Sequence, residues 1–268
     1  MSEVASSNLD ADVLVRQTVD WDQYAHCYDL LCSLNPAYLE LLREFRAFLE
    51  AAEMPEHARV LDLGGGTGNF FCLGLPQAVA RSGDLIHLDF DTEMLKIAKE
   101  KYSKLGLNVT LLHKDASKAV FPVASLDCVV SVNALYAMPE PTSILSRIFH
   151  WLRPGGRLFV VNLGRIQNTT EWTSFLIRSN ARKLGLFRTL RILLDQGLVI
   201  SRENRKIARA QRAGVYWKHD TEEFRQILSD IGFEIDFVRP TYRGYSDIAC
   251  CRKPLLTVRD EAGQHSAT

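Results

Sequence analysis

Little in this chain of 268 residues ties it to an oxidising compartment, a metal centre or the core of a bilayer. Its six cysteines form no C-x-x-C pair and no ladder of spacings, and adjacent Cys250 and Cys251 must face opposite sides of any strand. They read as free buried thiols in a reducing compartment, and no metal site is expected. No apolar run approaches the roughly 18 residues a membrane span needs. No basic segment followed by an apolar stretch opens the sequence, so secretion is not expected and the cytoplasm is the expected compartment. Net charge is also missing: 32 Lys plus Arg balance 32 Asp plus Glu, which makes a nucleic-acid partner unlikely on whole-chain charge. Internal repeats and low-complexity tracts are lacking as well.

What is present is an alternation of strand and helix signals. Apolar residues at helical spacing (Leu39, Leu42, Phe45, Leu49) predict a helix over Tyr38 to Ala52, closed by Pro55. Five strands follow, over Arg59–Leu63, Asp84–Asp89, Val109–His113, Asp127–Val132 and Arg157–Asn162, the last fed by the turn R-P-G-G at 153 to 156. The intervening helices are predicted over Asn69–Arg81, Asp91–Leu105 and Thr142–Trp151. This order implies right-handed crossovers and a mostly parallel, doubly wound α/β sheet covered on both faces. A helix over Thr221–Ile231 with Thr221 as N-cap comes next, then strands Phe233–Val238 and Ser246–Arg252 joined by hairpin chemistry. Residues 1–17 and 256–268 are polar without apolar period and are expected to be flexible ends of a single domain over 18–255.

The densest signal is V-L-D-L-G-G-G-T-G, residues 60 to 68, an apolar strand carrying one acid that breaks into a glycine turn. Such a turn lets a ligand approach the main chain. A dinucleotide fingerprint would place a third glycine at Asn69, and an acid two residues before the first glycine would repel a pyrophosphate. A ligand with a cationic group suits Asp62 better. Strand ends in doubly wound sheets border the ligand, and three further ends carry suitable groups: Asp89 in H-L-D-F-D, Asp115 in L-L-H-K-D-A, and Asn133 in V-V-S-V-N-A-L-Y-A-M.

Residues 60 to 68 resemble motif I of the class I S-adenosylmethionine-dependent methyltransferases, of the small-molecule type similar to those acting on quinones and phospholipids. The resemblance covers about residues 20 to 163 and 220 to 253. It implies a Rossmann-like seven-stranded sheet with an antiparallel C-terminal hairpin, S-adenosyl-L-methionine as cofactor and S-adenosyl-L-homocysteine as product. It implies that Gly64, Gly65 and Gly66 run beneath the methionine part, that Asp62 faces its ammonium group, and that Asp89 holds the ribose hydroxyls. Phe90 and Met94 would pack on adenine, while Asp115 and the Ala116 N–H would meet its edge. Asn133 and Tyr136 would border the transferable methyl. Upstream, W-D-Q-Y-A-H-C-Y-D resembles a segment that folds over the cofactor in related enzymes, with Tyr24 and Tyr28 on one helical face.

Residues 164–219 exceed any ordinary connection and are read as a helical lid, with a helical cap over 18–55. Two lid helices are predicted, Thr170–Leu184 and Leu186–Ala213, broken at Gly185. The lid holds twelve basic and three acidic residues, net +9, leaving −9 for the rest. Together with the apolar L-G-L-F-R-T-L-R-I-L-L stretch, this points to a small acceptor that is apolar or anionic (natural product, quinone or lipid-like) and allows peripheral membrane contact. Trp217, Tyr242 and Tyr245, with Tyr136, are candidate substrate walls. A base is optional for methyl transfer from a sulfonium; His219 and Tyr136 are the candidates. A binding protein without transferase activity and a nicotinamide oxidoreductase stand as alternatives. The methylated atom and the oligomeric state are not legible in the sequence.

Overall fold

The computed structural model of the chain describes residues 19–192, 194 and 197–255. The expected flexible ends, 1–17 and 256–268, lie outside the described residues. Two helices open the structure: α1 (Trp21–Ser33), capped by the Asp20 carboxylate on the Gln23 N–H, and α2 (Pro36–Ala51), capped by Asn35 with Pro36 at its first position. Then come β1 (Arg59–Leu63), α3 (Gln77–Ser82), β2 (Asp84–Asp89), α4 (Thr92–Leu105), β3 (Val109–His113), β4 (Leu126–Val132), α5 (Pro141–Trp151) and β5 (Leu152–Leu163). The inserted helices are α6 (Thr169–Leu184), α7 (Leu186–Ile192) and α8 (Leu198–Arg212). The chain closes with α9 (Thr221–Ile231), β6 (Glu234–Thr241) and β7 (Ser246–Arg252).

One seven-stranded sheet runs β3-β2-β1-β4-β5-β7-β6, with β1 to β5 parallel and β7 antiparallel to both neighbours. The doubly wound sheet and its C-terminal hairpin thus take the expected form. Alternation along the strands splits the core into two layers. Leu61, Leu63, Ile86, Leu88 and Val129 face Ile144, Leu145 and Ile148 of α5 and Phe224 and Leu228 of α9. Val60, Leu85, Cys128, Val130 and Phe159 face Leu41, Leu42, Phe45 and Leu49 of α2 and Ala98 and Tyr102 of α4. All six cysteines are free.

Three elements depart from expectation. The helix predicted over Asn69–Arg81 is a wide turn at Phe70–Gly74 followed by the short α3. Pro76 enforces the break: it holds Leu75 extended, and Gly74 lies where a Cβ would sit 2.7 Å from the Phe45 ring. The second lid helix is two helices, with Gly197 directly before α8. The cap of α9 is Asp220 rather than Thr221, because its carboxylate reaches two N–H groups and Glu223 completes a reciprocal capping box. No helix among the described residues is long and apolar enough to cross a membrane.

Candidate active site

The parallel register places Asp62 directly beside His87 on β2 and Val130 on β4, on the face that meets α2 and α4. The glycine turn leaves the end of β1, with Gly64 and Gly66 at φ +69° and +56°, a region that favours glycine. A Cβ on Gly64 would lie 2.6 Å from that of Ala134, and one on Gly65 would lie 2.7 Å from the Asp62 carboxylate and 2.5 Å from the His87 ring. Bare backbone therefore forms the floor.

Beneath that floor the Asp62 side chain is buried, and its Oδ2 has no hydrogen-bond partner. His87 Nδ1 stands 4.0 Å away and hydrogen-bonds instead to the Tyr102 hydroxyl at 2.8 Å. Burial lowers the His87 pKa to about 4, so at neutral pH it offers Asp62 no counter-charge. Burial, reinforced by the Asp89 charge, pushes Asp62 up to about 8. A buried carboxylate lacking a cation, under a glycine floor, fits the ammonium end of S-adenosylmethionine. Replacing Tyr102 with Phe should leave His87 Nδ1 unsatisfied and lower stability by about 1–3 kcal/mol in urea denaturation.

Neighbouring residues pin the turn. Lys101 of α4 donates to Asn69 Oδ1 at 2.5 Å and to Asp29 Oδ2 at 2.8 Å, and the Thr67 hydroxyl donates to the other Asp29 oxygen at 2.5 Å. Asn69, standing where a dinucleotide fingerprint wants glycine, is thus a fixed link between the turn, α1 and α4. Asp29 and Lys101 were not singled out by the sequence. The only available signal was the position of Asp29 at the end of the Tyr-containing segment.

At the end of β2, Asp89 accepts from the Gly66 N–H at 2.8 Å and the Asp91 N–H at 2.9 Å. Burial raises its pKa while these backbone donors oppose the rise. Four lone-pair directions leave this carboxylate room for ribose hydroxyls. Met94 is buried in the first turn of α4, with its sulfur 3.7 Å from where Gly66 would carry a Cβ. Phe90 is 56% exposed, and the carbonyl behind it meets His113 Nε2 at 2.8 Å. Asp115 caps a short turn by accepting from the Ser117 N–H at 2.8 Å, which places the buried Ala116 after it.

The α1 helix packs over this side. Tyr24, Ala25 and Met94 form one cluster with Trp21 and Tyr28 around it. The Tyr24 hydroxyl donates to Asn204 Oδ1 of α8 at 3.1 Å, which leaves its oxygen to act toward a ligand only as an acceptor. Tyr28 packs edge-on against Tyr38 at 6.3 Å.

On the reaction side, Asn133 takes a left-handed conformation (φ +48°), donates its N–H to Val161 at 2.7 Å and accepts from the Ser246 hydroxyl at 3.1 Å. Tyr136 is buried edge-on to Tyr216 at 5.3 Å. Burial holds the Tyr136 hydroxyl far above its usual range, so it can donate but not act as a base. Tyr242 and Tyr245 lie 4.9 and 6.1 Å from the ring of Trp172, a lid residue absent from the sequence reading. Tyr242 accepts from Asn35 Nδ2 at 2.6 Å, and Tyr245 donates to Glu171 at 2.5 Å. The Trp172 indole N–H and the Tyr216 hydroxyl are buried with no protein partner.

Two expected site residues border this region through their backbones, the Trp217 N–H donating to the Tyr136 carbonyl at 3.0 Å and the His219 N–H to the Gly164 carbonyl at 3.1 Å, while their side chains pack inward. His219 is buried against Phe224, stacked at 4.6 Å, with Nε2 against Asn162 at 2.9 Å and Nδ1 near the Asp220 carbonyl at 3.0 Å and Asp247 at 3.4 Å. Both ring nitrogens are thus engaged by protein groups. The partly buried Trp217 ring packs on His219 and Phe224 against the α9 layer.

A methyltransferase domain family model matches residues 60–156. The ubiquinone/menaquinone biosynthesis C-methyltransferase of Erwinia tasmaniensis is 30% identical over 178 residues, covering 66% of each chain, so this chain spans just under two thirds of that relative. Among solved structures, an S-adenosylmethionine-dependent methyltransferase from Aquifex aeolicus aligns with a TM-score of 0.52 at 18% identity, covering 82% of this chain and 94% of that one. The magnesium protoporphyrin IX methyltransferase of Synechocystis, solved with bound S-adenosylhomocysteine, aligns with a TM-score of 0.53 at 17% identity over 81% and 83%. Residues 60–156 thus match a methyltransferase domain, within a fold shared with S-adenosylmethionine-dependent methyltransferases.

Proposed function

We propose that the protein transfers the S-adenosylmethionine methyl group to a ring carbon of a quinol-like aromatic molecule bearing an aliphatic chain. The observation that carries this reading is a partly open apolar groove between the cap and the lid. Leu30 and Leu31 of α1, Leu34 just after it, Leu176 of α6, Ile192 of α7 and Ile200 of α8 line it. Leu176 lies one turn beyond Trp172, and Leu31 lies one turn beyond Tyr28, so the apolar wall continues the aromatic set on the same helical faces. A ring held by the aromatic residues could thread its chain into this space. The likeness to a quinone C-methyltransferase supports the same acceptor class.

Bound S-adenosylmethionine supplies a methyl group already activated on a sulfonium. The chain's own work is then positioning. Asp62 orients the ammonium end, Asp89 the ribose, and the buried Trp172 N–H and Tyr216 O–H are donors for ring oxygens of the acceptor. A quinol ionised at one hydroxyl would take the methyl on its ring carbon as the carbon–sulfur bond breaks and S-adenosylhomocysteine leaves, and the hydrogen on that carbon would then depart as a proton to water, restoring the aromatic ring without a strong protein base.

The test is a labelled-methyl assay with a short-chain prenylated quinol, with mass spectrometry of the product. Expected is a product one methyl group heavier, with the label on carbon. Saturable S-adenosylhomocysteine binding with no transfer to any quinol would contradict this acceptor assignment and favour a binding protein without turnover.

A further inference from the structure

The basic excess of the lid is not spread evenly. Near the core it is internally matched: Arg165 pairs with Asp247 at 3.0 Å, and Arg202 and Lys206 pair with the buried Glu203 at 2.9 Å each. Glu203 also accepts the Asp20 N–H at 3.0 Å, clamping α8 to the start of α1. Farther out, residues 172–194 carry Arg178, Arg182, Lys183, Arg188 and Arg191 with no acid among them. Among the described residues, none of Arg182, Lys183, Arg188 and Arg191 forms an ion pair with a carboxylate.

The same tip exposes its largest apolar side chains. Phe187 is 94% exposed, Leu194 73%, Leu198 69% and Leu186 58%. Scattered exposed leucines need no explanation, but four large apolar groups exposed within thirteen residues are a local concentration. Helical spacing orients them. Thr189 and Ile192, three apart, turn toward the apolar groove they line, which sends Phe187 and Arg191, four apart, to the opposite, outward face of α7.

We infer that the α6–α7–α8 tip is a membrane-docking surface, with Phe187 and Leu186 entering the headgroup and acyl boundary of an anionic bilayer while Arg182, Lys183, Arg188 and Arg191 meet the lipid phosphates. An apolar wedge ringed by cations is the composition such interfacial contact requires. A second copy of this chain fits less well, because an isologous contact would set the same five cations against one another. Aliphatic leucines beside Phe187 suit acyl chains rather than stacked bases. Docked in this way, the inner face of α7 would present the groove next to the bilayer, so a lipid-dissolved acceptor would enter without crossing water. The inference stands apart from the acceptor assignment, since docking needs no acceptor.

The experiment is co-sedimentation of the full chain with vesicles of phosphatidylcholine, with and without phosphatidylglycerol, together with S-adenosylhomocysteine titration of every variant to show an intact fold. Expected is salt-sensitive binding to the anionic vesicles only. Arg188→Ala and Arg191→Ala should each weaken it about fivefold, the equivalent of about 1 kcal/mol per cation at the surface. Phe187→Asp should weaken it at least tenfold, with S-adenosylhomocysteine affinity unchanged throughout. No binding to anionic vesicles, or binding equal in Phe187→Asp and wild type, overturns the inference. So does a solution dimer that Phe187→Asp dissociates, because the patch would then be a protein interface.

Discussion

Asp62→Asn should stabilise the cofactor-free protein at pH 8 and weaken its hold on the cofactor in the same step. In the folded chain burial raises this carboxyl to about 8, against roughly 3.9 for an unfolded aspartate. The native state therefore binds the extra proton between those values. The stability that Asp62 contributes is fully present below about pH 4 and is lost as pH rises through 8. Asparagine removes that slope, and a gain of about 2 kcal/mol at pH 8 corresponds to a Tm increase of roughly 4–8 °C by calorimetry. The cofactor ammonium, in contrast, requires the charged form. Losing a charge-assisted contact of about 1.5–3 kcal/mol should reduce S-adenosylhomocysteine affinity roughly 10- to 100-fold. A variant that is less stable at pH 8 yet binds normally would show that Asp62 is a fold element and not a cofactor group.

Asp247→Ala should be among the most damaging single changes in the α9 layer. Its fully buried carboxylate holds Arg165 at 3.0 Å, accepts from the Thr221 hydroxyl at 2.7 Å and faces His219 at 3.4 Å. Burial acts to raise its pKa, but these three partners outweigh that effect and hold it below the usual carboxylate range. Its stabilising contribution is thus present above about pH 4 and lost as pH falls through the depressed folded value. Removing one partner of a buried pair costs about 3–5 kcal/mol, so Tm should fall by roughly 6–20 °C. His219→Gln belongs to the same unit. It should lower Tm while leaving kcat of the folded enzyme and its pH profile nearly intact. If His219 were a general base, kcat would instead fall on the order of 100-fold or more with little change in Tm.

The strand ends were legible because parallel-sheet chemistry writes them locally. Asp62, Asp89, Asp115 and Asn133 each lie at or beside the end of an apolar run, and the four parallel strands end on the same side of the sheet. Partnerships across the fold were not legible. His219 is near Gly164 and Asp247 only because the lid returns to β5 and β7 at that point, and nothing in its local sequence distinguishes a base from a packed imidazole. Trp172 joins Tyr242 and Tyr245 across some 70 residues of chain. The predicted helix at Asn69–Arg81 failed because the apolar pattern outvoted Pro76. The net charge of the lid was visible, but its division into matched and unmatched halves depends on Glu203 and Asp247 being buried beside it.

Titration calorimetry with S-adenosylhomocysteine at pH 7, in buffers of different ionisation enthalpy, tests the central claim most directly. Because burial raises the Asp62 carboxyl to about 8 and an ammonium beside it would favour the charged form, saturable binding should release protons in the wild type and release fewer in Asp62→Asn. NAD should give no saturable heat. Saturable NAD binding with no S-adenosylhomocysteine binding, or proton release unchanged by Asp62→Asn, would contradict the assignment of the glycine turn and Asp62 to the methyl-donor site.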